Sequence, residues 1–298
     1  MTNSSIPEHN PQPFLKWAGG KRALLPEIKS RIPGFRGKYI EPFLGAGAVC
    51  LSQPKEQNKL VNDFNSDLIE VYLIIRDRPK ELLQELRSHI NSQEHFLEVR
   101  SWDRSPEFKK ETTPIQRAAR FIYLNKTCFN GLYRVNSKGF FNVPFGHYKK
   151  PNFINEHNIL AVSRFLNFQV GQGYATEFLS GDYRQATAKA VMGDFVYLDP
   201  PYDPVSETSS FVAYQQSGFG RQDQIDLRDE LIRLTNKGVP VLLSNSDTEF
   251  IESLYSAVEC FEIDRVYVNR AISAKATTRG KIQEVLINNF NAVGIRTN

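Results

Sequence analysis

Long apolar runs are missing from this chain of 298 residues. The longest, Val71 to Ile75, has five, against the roughly 20 that a membrane-spanning helix requires. A transmembrane helix is therefore excluded, and no membrane partner is expected. The opening stretch, MTNSSIPEHNPQ, is polar and lacks the apolar core of a secretory signal. Cysteine is scarce as well. Cys50, Cys128 and Cys260 are odd in number and far apart, which suits a reducing cytoplasm and neither a disulfide framework nor a thiolate zinc site. No metal is expected. An excess of one charge is also lacking: 37 Lys plus Arg face 33 Asp plus Glu, a net of +4, with 41% hydrophobic and 23% charged residues. That is an ordinary globular composition, and the length allows one large domain or two smaller ones.

The charge is unevenly placed. Lys109 to Lys150 carries +8 and Arg265 to Lys281 carries +5, which leaves −9 for the remainder of the +4 total. Two concentrated basic segments on an otherwise acidic chain are the footprint of a polyanion binder, and equally of two solvated surface stretches.

Lys38 to Phe43 and Lys59 to Asp63 read as short buried strands, each followed by a helical pattern. The first leads into Gly45-Ala46-Gly47 and AVCL. The second leads into Asn65-Ser66-Asp67, a helix N-cap cluster, and LIEVYLIIRD, whose apolar residues recur at helical spacing. Strand, helix, strand, helix predicts a parallel sheet with right-handed crossovers. From Pro79 the pattern changes to charged amphipathic helices, KELLQELRSHI, EHFLEVRSW and IQRAARFIYLN. Residues 133–148 then alternate around Asn136 to Gly139 as a hairpin. The strand pattern resumes at Gly193 to Asp199, followed by a helix over Arg221 to Lys237 and strands at Val239 to Ser244 and Gln283 to Phe290. Pro204 to Gly220 reads as a long loop. The expected fold is α/β, a Rossmann-like sheet formed by residues 1–65 and 161–298. An inserted, mainly helical recognition domain bearing a hairpin occupies 66–160.

A strand followed by Gly45-x-Gly47 sits where a doubly wound sheet binds its ligand. Cys50 stands where the dinucleotide pattern wants a third glycine, so hydride chemistry loses ground. Glu41 and Asp63, at the ends of adjacent strands, suit an ammonium group and ribose hydroxyls, both of which S-adenosylmethionine carries. Gly45 and Gly47 fit a plain βα turn equally well, and Asp63 a helix cap. The sharpest signal is Asp199-Pro200-Pro201-Tyr202. Two prolines remove two backbone donors and leave outward carbonyl acceptors. The Asp199 carboxylate and the Pro200 carbonyl would hold both hydrogens of an exocyclic amino group, a poor nucleophile, and favour its pyramidal transition state. Tyr202 would stack on the base.

With these pieces the chain resembles the Dam-type adenine-N6 DNA methyltransferases that act on GATC, a group with restriction-system members. The resemblance rests on FLKWAGGK (14–21), EPFLGAG (41–47), NDFNSD (62–67), NGLYR (130–134), FNVPFG (141–146), Asp199 to Tyr202 and the tail around Arg270 to Lys281, in the family's order over nearly the whole chain. It implies S-adenosylmethionine as cofactor, held by Trp17, Lys21, Glu41, Phe43, Gly45, Gly47, Asp63, Asp182, Tyr183 and Asp199. It implies Asp199, Pro200 and Tyr202 as catalytic, and double-stranded DNA as partner, with no obligate protein partner and a monomeric state. Lys16, Asn130, Leu132, Arg134 and Pro144 become base-reading residues, with Arg134 suited to a guanine edge. Phe129 takes the place of an intercalating aromatic; as a residue it fits a core position at a helix end equally well. Lys149, Lys150, Arg270, Arg279 and Lys281 become phosphate contacts, which position without specifying. The chain departs from the family at Phe129 and His147, where relatives often carry Tyr and Arg.

The mechanism so implied is docking in the major groove, flipping of the adenine and direct transfer to N6, with no metal and no covalent enzyme intermediate. The same chemistry on another DNA sequence, on cytosine N4 or on RNA is one rival. Asp rather than Ser before Pro-Pro-Tyr, and an Arg-bearing hairpin that closed A-form grooves would not admit, argue against the last two. A noncatalytic DNA-binding protein on a degenerate scaffold is the other. The charge pattern yields a test: DNA affinity should fall by about 0.9 log unit per log unit of salt for each phosphate neutralised. Alanine at both Lys149 and Lys150 should flatten that slope.

Overall fold

A computed structural model describes residues 10–167, 173, 175–205, 218–269 and 281–295. Its strands are β1 (Tyr39–Glu41), β2 (Lys59–Asp63), β3 (Thr176–Ser180), β4 (Phe195–Leu198), β5 (Val241–Ser246), β6 (Glu262–Asn269) and β7 (Lys281–Asn288). They form one mixed sheet in the order β3-β2-β1-β4-β5-β7-β6. β2, β1, β4 and β5 run parallel, whereas β7 is antiparallel to both β5 and β6. All residues of β4 and β5 are buried, as expected of central parallel strands covered on both faces. The chain order reverses between β1 and β4, so their carboxyl ends flank the switch point where open α/β sheets bind ligands. Glu41 ends β1, and Asp199 directly follows β4.

The chain divides into two compact units, one made of Met1–Gly20, Gly45–Glu56 and Asn65–Ser180, the other of Lys21–Leu44, Gln57–Phe64 and Gly181–Asn298. The first contains α2 (Ser66–Asp77), α3 (Pro79–Ser88), α4 (Gln93–Ser101), α5 (Phe108–Glu111), α6 (Pro114–Thr127) and α7 (Glu156–Asn167). Local chemistry sets their starts. Asn65 accepts from the Asp67 and Leu68 amides, and Thr113 and Gln116 close a capping box ahead of Pro114. The second unit contains α1 (Leu25–Arg31), α8 (Arg184–Thr187), α9 (Arg221–Asn236) and α10 (Glu249–Ser256). Among the described residues no helix is long and apolar enough to cross a membrane.

Three elements differ from the sequence pattern. After the Gly45-x-Gly47 turn there is a single 3-10 turn, Cys50–Ser52, in place of a helix; Pro54 restricts Gln53 to extended backbone and stops it. β3 and β6 were not expected. β3 is half exposed, and β6 mixes charged with apolar positions, so neither shows the apolar run of a central strand. β7 and β6 then make an antiparallel pair where only parallel crossovers were anticipated. Residues 206–217 of the long loop lie outside the described residues.

The entry to β1 is tightly set. Gly37 N donates to the Gly193 carbonyl at 2.8 Å, and the buried Asp194 carboxylate accepts from Lys38 N at 2.7 Å and Val191 N at 3.0 Å. A Cβ on Gly37 would meet Asp194 Oδ1 at 2.3 Å and the Gly193 carbonyl oxygen at 2.7 Å. Gly37→Ala should therefore destabilise the protein by about 1–3 kcal/mol, read as a lower denaturant midpoint at unchanged slope.

Candidate functional site

In the second unit, Asp199 leaves β4 at the centre of a polar cluster. Its Oδ1 accepts from Lys21 Nζ at 2.7 Å and from Ser244 Oγ, on β5, at 3.0 Å. Ser244 Oγ lies 3.0 Å from the Tyr197 hydroxyl. The Lys21 ammonium sits 4.5 Å above the Tyr202 ring, and the Tyr202 hydroxyl donates to Glu284, on β7, at 2.8 Å. Burial raises the Asp199 carboxyl above its ordinary range, countered by the Lys21 charge and hydrogen bond and by Ser244, with Glu284 adding to the rise. The same burial pushes the Tyr197 and Tyr202 hydroxyls far up, so both remain protonated donors. The prolines differ from the sequence expectation. The Pro201 carbonyl is not free, since it accepts from Gln224 Nε2 at 2.8 Å. Among the described residues none donates to the Pro200 carbonyl.

Asn62 organises the neighbouring loops. Its amide donates to the carbonyls of Pro42 and Gly181, both at 3.0 Å. Leu44 N donates back to the Asn62 carbonyl at 2.9 Å, and Gly181 N to the Asp63 carbonyl at 3.0 Å. This ties the chain after β1 and β2 to the turn that carries Asp182 and Tyr183. Glu41 is buried and accepts from the Tyr39 hydroxyl at 2.7 Å. Phe43 stacks on Tyr183 at 5.2 Å, and Asp182 is exposed and paired with Arg184 at 3.1 Å. The cap of α2 is Asn65, so Asp63 is not its N-cap. Phe64, 84% exposed directly after Asp63, is an unburied aromatic that the sequence reading passed over. Its signal was an aromatic beside an acid at a strand's carboxyl end.

In the first unit, Gly45 and Gly47 take φ of +50° and +67°, a region that favours glycine. A Cβ on Gly45 would also meet the Trp17 indole at 2.9 Å. Trp17 stacks on Tyr133 at 5.8 Å and on Phe121 at 6.3 Å. Lys16 is held by the fully buried Asn125, whose Oδ1 accepts from Lys16 N at 2.9 Å and whose Nδ2 donates to the carbonyls of Lys16 at 2.8 Å and Gly131 at 2.9 Å. The Lys16 ammonium lies 4.4 Å from the Tyr148 ring centre. Phe129, Asn130 and Leu132 are exposed on the turn Phe129–Gly131, with Asn130 at φ +55°. Phe129 is 53% exposed, which removes the core reading. Arg134 Nε donates to Asn142 Oδ1 at 2.7 Å, while Pro144, Lys149 and Lys150 are exposed.

The expected hairpin is a looped excursion in place of two regular strands. Its pairing is short: the bridge Val135 to Phe141 is flanked by main-chain bonds from Asn142 N to the Arg134 carbonyl at 3.1 Å and from Asn136 N to the Phe140 carbonyl at 2.9 Å, and a second bridge joins Cys128 to Phe145. Side chains satisfy further main-chain groups: Asp103 accepts from Phe141 N at 2.8 Å, Arg104 donates to the Phe141 carbonyl at 2.6 Å, and Asn136 Oδ1 accepts from the Lys138 and Phe140 amides at 3.0 Å each. Arg270 and Arg279 lie outside the described residues, and Lys281 opens β7.

A model of the D12 class N6 adenine-specific DNA methyltransferase family matches residues 17–272. The chain is 43% identical over 283 residues to the Type II methyltransferase M1.LlaDCHI of Lactococcus lactis subsp. cremoris, covering 94% of this chain and 96% of that one. It is 39% identical to the Type II methyltransferase M.MjaIII of Methanocaldococcus jannaschii, covering 94% and 99%. It is 38% identical to the DNA adenine methylase of Escherichia coli K12, covering 92% and 93%.

The cluster makes a titration test. Lys21 lowers the Asp199 pKa against burial, so Lys21→Met should shift the Asp199 carboxyl titration to higher pH. Carbon-13 NMR of labelled aspartate reads this directly.

Proposed function

The chain belongs to the D12 class of N6 adenine-specific DNA methyltransferases, and from that premise we propose that it methylates adenine within GATC in double-stranded DNA, with S-adenosylmethionine as the methyl donor. The observation that carries the reading is the Asp199 carboxylate at the carboxyl end of β4, oriented by Lys21 and Ser244, beside a Pro200 carbonyl with no donor among the described residues.

The residues fit the cofactor. Glu41 and Asp63 end adjacent parallel strands, carboxylates suited to an ammonium group and to ribose hydroxyls. The exposed Phe64 ring offers an apolar face for a purine. Lys21, Phe43, Asp182 and Tyr183 complete the set in the second unit, and Trp17, Gly45 and Gly47 are assigned to the same cofactor through the sequence resemblance. When bound, the cofactor supplies an electrophilic sulfonium methyl group.

The chain's own groups then act on the target base. Adenine N6 is unreachable for in-line transfer inside a duplex, so the base is flipped out of the helix. Asp199 and the Pro200 carbonyl accept the two N6 hydrogens. This concentrates the nitrogen lone pair for attack and stabilises the positive charge that grows on it. Tyr202, tethered by Glu284, presents its ring as a stacking face. Residues 66–160 form the recognition domain. Within it Arg134 reads a guanine edge, Lys16, Asn130, Leu132 and Pro144 contact neighbouring bases, and Phe129 fills the space the flipped base leaves. Lys149 and Lys150, with Arg270, Arg279 and Lys281 from the second basic segment, contact phosphates. The GATC assignment rests on the resemblance at NGLYR and FNVPFG together with the suitability of Arg for guanine.

Asp199→Ala should retain S-adenosylmethionine binding by calorimetry yet lose methyl transfer by several orders of magnitude, each factor of ten being about 1.4 kcal/mol. Full activity would refute its role. Unmethylated plasmid treated with the wild-type enzyme should become resistant to a nuclease that cuts only unmethylated GATC and sensitive to one that cuts only the methylated site. An unchanged digestion pattern would defeat the GATC assignment.

A further inference from the structure

We propose that Ser244 is a positioning residue for methyl transfer: with Tyr197 behind it, Ser244 fixes one oxygen of the Asp199 carboxylate so that the other is left for the target amino group. The proposal rests on the reading of Asp199 given above.

The direction of the hydrogen bonds follows from proton counting. A carboxylate only accepts, and Ser244 Oγ lies 3.0 Å from Asp199 Oδ1 against 3.5 Å from the Leu198 carbonyl, so the single serine proton goes to the carboxylate. The 3.0 Å contact between Ser244 and Tyr197 must then be donated by the tyrosine, whose hydroxyl burial keeps protonated. Tyr197, Ser244 and Asp199 thus form a one-way chain in which each hydroxyl donates toward the carboxylate. Every member is anchored by the sheet. Tyr197 is on β4 and Ser244 on β5, the neighbouring strand, and both are fully buried. Lys21 meets the same oxygen, Oδ1, at 2.7 Å. Two donors on one oxygen set the rotation of the carboxylate about its Cβ–Cγ bond, whereas the ammonium alone, on a long and flexible stem, leaves it loosely defined. Among the described residues no donor meets Oδ2.

The chain also sets the charge state. The ionisable groups facing Asp199 are Lys21, which favours the carboxylate, Glu284, which opposes it, and the neutral phenols of Tyr197 and Tyr202. The Ser244 hydrogen bond favours the ionised form. Methyl transfer needs that form, so activity is lost as pH falls through the Asp199 pKa. Removing the Ser244 hydroxyl raises this pKa and moves the acid limb of the kcat profile to higher pH.

Ser244→Ala keeps the backbone pairing of β5 and removes one hydroxyl. Its kcat should fall by about tenfold or more, in line with a hydrogen bond to a charged group. The binding constants for S-adenosylmethionine and for DNA should stay unchanged while the acid limb moves up. Ser244→Thr, which keeps the hydroxyl, should recover most of the rate. Tyr197→Phe should shift rate and limb in the same direction by less. Wild-type kcat with an unmoved acid limb in Ser244→Ala, or a threonine variant as slow as alanine, would overturn the proposal. If Ser244→Ala fails to bind cofactor or to melt cooperatively, Tyr197→Phe decides, and an unmoved limb there overturns it. Activity in Asp199→Asn equal to wild type would instead break the underlying reading of Asp199, a result separate from any effect at Ser244.

Discussion

The candidate site turns on one ion pair, buried Lys21 with the largely enclosed Asp199, at the carboxyl end of a central strand. An ion pair taken out of water costs several kcal/mol in desolvation and is repaid only when its remaining valences are hydrogen-bonded. Here they are. Ser244 supplies a second donor to the same carboxylate oxygen, and the Tyr202 ring covers the ammonium. Parallel strands β4 and β5 make this possible. Asp199 leaves β4 directly, and Tyr197 and Ser244 sit on these adjacent, fully buried strands, so their side chains are aimed by backbones whose own hydrogen bonds are met in the ladder.

The first unit solves a different problem, the fixing of exposed residues on irregular chain. Lys16 and the Phe129–Gly131 turn are distant in sequence, and no strand ladder joins them. One buried amide, Asn125, grips both, and Gly131 is required because a Cβ there would strike the Lys16 stem at 2.3 Å. Asp103 and Arg104 do the same for the main chain at Phe141. Side-chain clamps supplement a short stretch of main-chain pairing where side chains must project outward from a loop, and every buried polar group so used has to be matched.

The sequence made the central fold legible because buried parallel strands and capped amphipathic helices are local patterns. KLVND, FVYL and the Asn65 cap each announce themselves in a few residues. β3 and β6 were silent, since an edge strand with half-exposed or charged positions lacks an apolar run. The Gly45-x-Gly47 turn was legible as a turn, but its helix was not there, since Pro54 outweighed the apolar AVCL. The family was legible through the order of separate motifs. What no local pattern could carry was the long-range pairing of the site: Lys21 on Asp199, Glu284 on Tyr202, Ser244 between Tyr197 and Asp199. These depend on which strands become neighbours, and the approach of β7 to β5 from the antiparallel side had no sequence signal.

The raised pKa of Asp199 states what the site costs. A carboxyl whose pKa is higher in the folded than in the unfolded protein makes the native state the better proton binder. Its contribution to stability is therefore fully present below the ordinary carboxylate range and is lost as pH rises through the raised value. The form that the proposed methyl transfer uses is the ionised one, the form the fold tolerates less. Lys21 and Ser244 narrow that conflict without removing it, because burial remains the largest influence on the group. In the proposed reaction the same enclosure that makes the carboxylate expensive strengthens its hold on an amino group acquiring positive charge, since screening by water is reduced. The fully covered strands β4 and β5 offset the cost, and a carboxylate at the solvent-washed edge of the sheet would be cheaper to ionise and weaker in the transition state.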